Sequence, residues 1–445
     1  MSTDAINELT PVRRAYGILT GDDEGRVCRD IPDAACDQQP RNFMVHVTSL
    51  SLTKIGDGLV DPKLVLAWLM TALGVPAGLV GFLVPIREAG ALLPQLFIAG
   101  SIRSLPVRKW VWSAGSIVQG LAVIGMAVTA LTLDGAMAGW VILGLLAVMA
   151  TARSACSVSH KDVLGKTVSK STRGTATGTA GSLASAVVLL FGLALSLHLL
   201  DQSITTIALA MMVAGGAWIV AGACFATLAE APGATEGGGN ALTVALSQLR
   251  LLRERPQLRR FIAARGLLIA TALAPPYLLA MAGESGRSGL ADLGLFVIAA
   301  ALASVLGGYV WGRLSDRSSR KVLASAGLLG AVTLATAVVL QGLGILNENG
   351  SFWLAPLLFV LTLAYQGVRL GRATHLVDMA PTDERAAYTA LANTVIGLLL
   401  LGTAAVGLVA EAHGVAAAIG VFAVMSLVGG LVALGLEEVQ AETSP

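Results

Sequence analysis

The chain has 445 residues, 55% of them hydrophobic and only 13% charged, with a formal net charge of +2. Soluble chains carry roughly 25% charged residues, so a water-facing surface cannot be covered at this density. The small net charge leaves no electrostatic footprint for nucleic acid, and the four cysteines, Cys28, Cys36, Cys156 and Cys224, form no CxxC pair, so neither a metal site nor a disulfide framework is expected.

Residues 1–43 read as a polar tail, with Asp22, Asp23, Glu24, Arg26, Arg29 and Asp30 in one run and no signal peptide. A bilayer core needs roughly 20 apolar residues per helix. On that ruler the rest of the chain divides into twelve runs. They are 45–69, 77–98, 110–131, 138–159, 174–197 and 204–226, then 261–281, 290–311, 322–343, 352–370, 386–409 and 415–436. The runs lack the period-two alternation of barrel strands, so the class is an all-α membrane protein with twelve transmembrane helices. It divides into a six-helix bundle at 44–229, a linker at 230–260, a second six-helix bundle at 261–436 and a tail at 437–445. The linker opens on Pro232, Gly233 and the glycines at 237–239, then becomes basic up to Arg260.

Lysine and arginine concentrate in alternate loops. One side holds Arg108, Lys109, Lys161, Lys166, Arg173, Arg253, Arg259, Arg313, Arg320, Lys321, Arg372 and Arg385, and the other side only Arg287. Basic loops stay in the cytoplasm, which places the tail, the linker and both termini there, in the inner membrane of a cell. A single shift of 212 carries Arg108–Lys109 onto Arg320–Lys321, Ser113-Ala114-Gly115 onto Ser325-Ala326-Gly327, Gly100 onto Gly312 and Arg173 onto Arg385. The two bundles are therefore expected to be related by an internal repeat, an architecture with its binding site at the repeat interface.

The stretch Gly312-Arg-Leu-Ser-Asp316-Arg317-Ser-Ser-Arg320-Lys321 resembles the cytoplasmic loop signature of the major facilitator superfamily. The likeness extends over residues 43–436. It implies twelve helices, transport of a small solute by alternating access, and a gating role for Gly312, Asp316, Arg317, Arg320 and Lys321. Ser319 stands where the signature has a second glycine. The first-half copy keeps Arg108 and Lys109 but has Ser104 in place of the aspartate. Arg153 inside an apolar run resembles the fourth-helix arginine of proton-driven exporters, with Ser157 replacing the glycine of that pattern. The exporters' fifth-helix Gly-Pro is absent; Gly174, Gly178 and Gly181 read as helix-packing positions.

Charges inside a span cost about 2.5–3.5 kcal/mol each on insertion scales. In the first bundle the spans hold Lys54, Asp57, Asp61, Arg87, Glu88 and Arg153, and Lys54, Asp57 and Asp61 fall on one helical face. Gly56 and Gly58 admit a neighbour or a solute beside Asp57, and Pro62 loosens the following turn. Lys63 and Arg369 read as chains that snorkel to the interface, as does Arg265. Two readings stand: a neutral network that holds the bundle together, or a water-accessible set in which a carboxylate takes up and releases a proton. No P-loop, HExxH or nucleophile elbow is present, so an enzyme is not expected, nor a metal or cofactor. The expected activity is secondary transport of a small-molecule solute, with protons as coupling ion, by a monomer in a lipid bilayer. The alternative is a receptor or assembly factor that keeps the fold without transport. The topology predicts that a reporter fused after Gly286 faces outside and one fused after Gly237 faces the cytoplasm; protease accessibility of the two fusions checks it.

Overall fold

A computed structural model describes residues 11–21, 36–201, 203–233, 235, 249–283, 290–315, 317–381 and 384–440. Its secondary structure is helical, with no strand among the described residues. In hydrocarbon every backbone amide and carbonyl must be satisfied within its own segment, which leaves an apolar run the helix as its form. The first half comprises α1 (Pro11–Thr20), α2 (Gln39–Leu59), α3 (Val65–Ala72), α4 (Ala77–Val80), α5 (Leu83–Leu92), α6 (Gln95–Arg103), α7 (Lys109–Thr132), α8 (Gly135–Thr167), α9 (Lys170–Ser196) and α10 (Ile204–Ala226). The second comprises α11 (Leu249–Glu254), α12 (Pro256–Leu268), α13 (Ala270–Leu273), α14 (Pro275–Gly283), α15 (Leu290–Ser315), α16 (Ser319–Gly342), α17 (Leu346–Met379), α18 (Arg385–Thr403), α19 (Ala405–His413) and α20 (Val415–Leu434).

Among the described residues, 11 helical stretches are long and apolar enough to cross a membrane. The run at 45–69 is not one of them: it is α2 and α3 in succession, polar and interrupted. Proline sets several interruptions. Pro62 lies between α2 and α3, Pro76 and Pro94 are the residues before α4 and α6, and α14 opens on Pro275. A proline ring offers no amide hydrogen and clashes with the preceding turn, so runs that read as single spans come in pieces. The structure also reaches into the stretches read as tail and linker. α2 starts at Gln39 with Asn42 and Phe43 buried, and α1 docks on it through Tyr16, whose ring meets Phe43 edge-on at 5.1 Å. Cys36 is disulfide-bonded, whereas Cys156 and Cys224 are free thiols. The lack of a CxxC pair did not exclude this, because closing a longer loop costs little more entropy.

Both halves use the same pairing. α7 packs along α10 and α8, and α16 packs along α20 and α17. Glycine sets the separations. A Cβ on Gly120 would stand 2.5 Å from the Gly215 carbonyl, and one on Gly327 2.8 Å from the Gly430 Cα. Small residues let backbones touch where no hydrophobic drive exists between helices in lipid. The 212 shift does not carry over to packing everywhere: Gly115 faces Cys156 and Ala152 of α8, whereas Gly327 faces α20.

The halves meet where α9 packs on α15, α5 on α18, α4 on α19 and α3 on α14. Two of these meetings are backbone on backbone. A Cβ on Gly294 would lie 2.6 Å from the Gly192 carbonyl, and one on Gly407 3.0 Å from the Gly78 carbonyl. Both lie at the end of the bundle away from the termini. At the opposite end Asn42 bonds Ala229, and Arg260 reaches the Gly435 carbonyl. Intrahelical glycines provide a stability test. A Cβ on Gly222 meets the Ser113 carbonyl at 2.7 Å, while one on Gly216 meets nothing within 4 Å. Gly222→Leu should cost about 1–3 kcal/mol through overpacking, and Gly216→Leu within about 0.5 kcal/mol, measured as melting of the purified protein in detergent.

Candidate functional site

Asp57 lies in the last turn of α2. Its glycine neighbours seat that turn against two helices: a Cβ on Gly56 would stand 2.8 Å from the Trp218 ring, and one on Gly58 would collide with Val188. The expectation that Gly56 and Gly58 admit a neighbour is met by side chains of α10 and α9. The Asp57 carboxylate faces inward, where its Oδ1 accepts from Arg87 Nη2 of α5 at 3.1 Å and from Arg153 Nη1 of α8. Three helices are thus tied through one oxygen. The side chains are 23%, 11% and 35% exposed respectively, so the pair of arginines is shielded unequally and solvent reaches Arg153 most.

Asp61 does not extend this row. The helix ends before it, and its Oδ1 accepts the backbone amides of Lys63 at 2.8 Å and Leu64 at 3.1 Å, satisfying donors that open α3. Lys54 makes no ion pair with Asp57; it donates from Nζ to the Thr177 carbonyl of α9 at 2.9 Å, with Arg369 and Asp57 in electrostatic reach. The single face expected for Lys54, Asp57 and Asp61 is therefore divided by the break at Pro62. Glu88, next to Arg87 on α5, has Lys63, Arg87, Arg153 and Arg372 within electrostatic reach.

Two residues read as snorkelling belong to this seam. Lys63 places its Nζ 3.7 Å from the centre of the Tyr365 ring on α17 and has Asp61 and Glu88 nearby. Arg369 lies within electrostatic reach of Lys54. Arg372, read as a loop residue, lies inside α17, which runs nine residues beyond the expected end at 370. The second half thus contributes Tyr365, Arg369 and Arg372, from three consecutive turns of one helix. The signal was available in that Tyr365, Arg369 and Arg372 recur at helical spacing, but the short span hid it. Gly174 and Gly178 do not pack at all: a Cβ on either meets nothing within 4 Å, and one on Gly181 meets only Lys54 Nζ at 3.3 Å. Tyr277 packs on Phe422, with ring centres 5.3 Å apart, and Gln366 donates to Ser304 Oγ at 3.0 Å.

At the end that carries the termini, each half closes on itself. In the first, the Glu230 carboxylate accepts the amides of Arg108 at 2.9 Å and Lys109 at 2.7 Å, capping α7, and receives Lys166 at 3.2 Å. Its side chain is fully shielded. Arg108 in turn pairs with Asp162 of α8 at 2.5 Å. In the second half, Ser318 Oγ caps α16 by accepting the Lys321 amide at 3.2 Å and donates to Glu438 at 2.5 Å. Arg320 approaches Glu438 at 3.6 Å and donates to the Leu436 carbonyl. Of the other signature residues, Gly312 meets no neighbour, Arg317 and Lys321 are exposed, and Asp316 lies outside the described residues. Glu230 and Glu438, each four residues beyond the last helix of its half, were not singled out from the sequence.

This arrangement of helices around an internal charged seam is that of a multi-pass membrane transporter. The chain belongs to the Major Facilitator Superfamily, whose sequence model matches residues 49–399 and 270–445. No curated protein matches it in sequence. Solved structures with the same fold include a D-xylose-proton symporter, at TM-score 0.68 and 13% identity over 91% of this chain and 99% of the other. Another is the nucleoside transporter NupG, at 0.64 and 11% over 89% and 99%. A third is a POT family transporter in complex with a thioalcohol-conjugated peptide, at 0.66 and 11% over 92% and 99%.

Because the shielded Glu230 carboxylate serves two backbone donors and Lys166, Glu230→Ala should lower stability by about 1–3 kcal/mol. Glu230→Gln, which retains an acceptor oxygen, should lose less. Thermal melting of the two variants decides the order.

Proposed function

We propose that the chain is a proton-coupled secondary active transporter that moves a small solute across a cell membrane by alternating access, with both termini in the cytoplasm. α2 and α3 together form the first of its twelve spans, and the two halves rock about the seam. The observation that carries the reading is Asp57, held between Arg87 and Arg153 while remaining 23% exposed. A structural ion pair needs neither shared ownership by three helices nor access to solvent. A carboxylate balanced between burial and cationic neighbours changes its proton affinity whenever one neighbour shifts. Rocking the helices supplies such shifts, so proton uptake and release become tied to which side is open. Glu88, with cations from both halves around it, is the second candidate carrier. The contacts Gly78–Gly407 and Gly192–Gly294 form the outer closure, and the basic loops at Arg108–Lys109 and Gly312–Lys321 hold the cytoplasmic ends during the exchange.

Removing one partner of a buried pair strands the other charge at a cost of roughly 3–5 kcal/mol, so lost activity alone does not distinguish coupling from misfolding. The test is Asp57→Asn and Glu88→Gln in reconstituted vesicles, restricted to variants that retain the wild-type gel-filtration profile. Accumulation driven by a pH gradient should vanish in at least one of them while downhill exchange of solute continues. Gradient-driven accumulation in both folded variants would return the cluster to a purely structural role.

A further inference from the structure

We infer that the seam takes a small organic anion, bearing carboxylate or phosphate groups, as the transported solute. The inference rests on the transporter reading above and adds the chemical class of its cargo. It starts from a charge imbalance. Asp57, Asp61 and Glu88 are the acidic groups of the seam; facing them are Lys54, Lys63, Arg87 and Arg153 from the first half and Arg369 and Arg372 from the second. Three positive charges are left over.

The leftover charge lies mostly on one side of the gap. Asp57 already engages Arg87 and Arg153, and Asp61 is taken up by the backbone opening α3. Arg369 and Arg372 form no ion pair with any described residue. Behind them Arg265 is 6% exposed, gives Nη2 to the Asn393 amide oxygen at 3.0 Å, leaves Nε without a partner, and has Arg372 in electrostatic reach. Among the described residues the second half therefore offers a group of arginines with no ion-paired carboxylate, opposite Lys54 and Glu88 of the first, with Glu88 in electrostatic reach of Arg372.

Arg369 is exposed and Arg372 partly buried, and cations that face one gap without a counter-ion repel one another, a cost that an anion relieves. A neutral solute leaves that cost in place. An anion with two or more negative oxygens, lying between α17 and the α2–α5 side, neutralises the excess and bridges both halves. Guanidinium groups match such oxygens through paired hydrogen bonds. An anion would also remove the mutual repulsion of Lys54 and Arg369 when the halves draw together, which makes occupancy a condition for closing.

The experiment uses the purified full chain in detergent. Its thermal shift is recorded at constant ionic strength, adjusted with chloride, against two matched pairs: succinate with dimethyl succinate, and glycerol 3-phosphate with glycerol. The expected result is saturable stabilisation by at least one anion and none by its neutral twin; the arm that responds identifies carboxylate or phosphate. Arg369→Gln and Arg372→Gln should weaken that binding by roughly tenfold or more, the scale of one charge-assisted hydrogen bond. Arg253→Gln, an exposed arginine of α11 outside the seam and the gating loops, should leave it unchanged. Equal response to anion and neutral twin, no response to either anion, or full affinity in both seam variants overturns the inference. Because binding is read without transport, these failures are separate from failure of the vesicle assay. Gradient-driven uptake of a neutral solute would keep the transporter and discard the anion; saturable anion binding without uptake would do the reverse.

Discussion

An ionic side chain inside a membrane bundle must have either counter-charge or water, and this requirement organises the molecule around Asp57. One carboxylate oxygen collects guanidinium groups from α5 and α8 onto α2. Everything nearby is shaped to permit that meeting. Gly56 and Gly58 bring the Asp57 turn against Trp218 and Val188, which places α2 deep enough for its acid to lie between its neighbours. A larger residue at either position would move the acid and strand two arginines together.

The apolar surroundings follow a different rule. Between lipid-facing helices there is little hydrophobic drive, so close contact depends on small residues. The same device serves two purposes here. Within a half, Gly120 against Gly215 and Gly327 against Gly430 hold helices in fixed pairs. Between halves, Gly192 against Gly294 and Gly78 against Gly407 bring backbones together without side-chain interlocking. Surfaces joined this way part without unthreading side chains, which suits a contact that opens and closes. The polar clasps through Glu230 and Glu438 hold each half together at the end that carries the termini.

Much of this was legible in the residues. Long apolar runs, the one-sided lysines and arginines and the loop at Gly312–Lys321 led to the helical membrane class and to the superfamily. The six charged residues of the first half were chosen from their cost alone, and Asp57, Arg87 and Arg153 do meet. What was not legible depended on helix boundaries. Reading 352–370 as the tenth span put Arg372 in a loop, yet α17 continues to Met379. Reading 45–69 as one helix set Asp61 in line with Asp57, although Pro62 divides them. Lys63 looked like a snorkelling chain because its partner, Tyr365, comes from the other half, about three hundred residues away. Gly174 and Gly178 were assigned to packing on residue type, and only the backbone shows that they have no neighbour.

The interruption between α2 and α3 gives this stretch an unusual mechanical character. α2 packs with α9 and α10 of its own half, whereas α3 also packs against α14 of the other. The stretch is thus shared by the two halves, and its joint is bridged by the Asp61 carboxylate holding the Lys63 and Leu64 amides. On the proposed alternating access such a joint would work as a crank: a turn of one half would become a twist at residues 60–64, where Lys63 is mounted beside Glu88 and Tyr365. Displacement of the halves and rearrangement of charge would then be the same movement, measured at two ends of a five-residue lever.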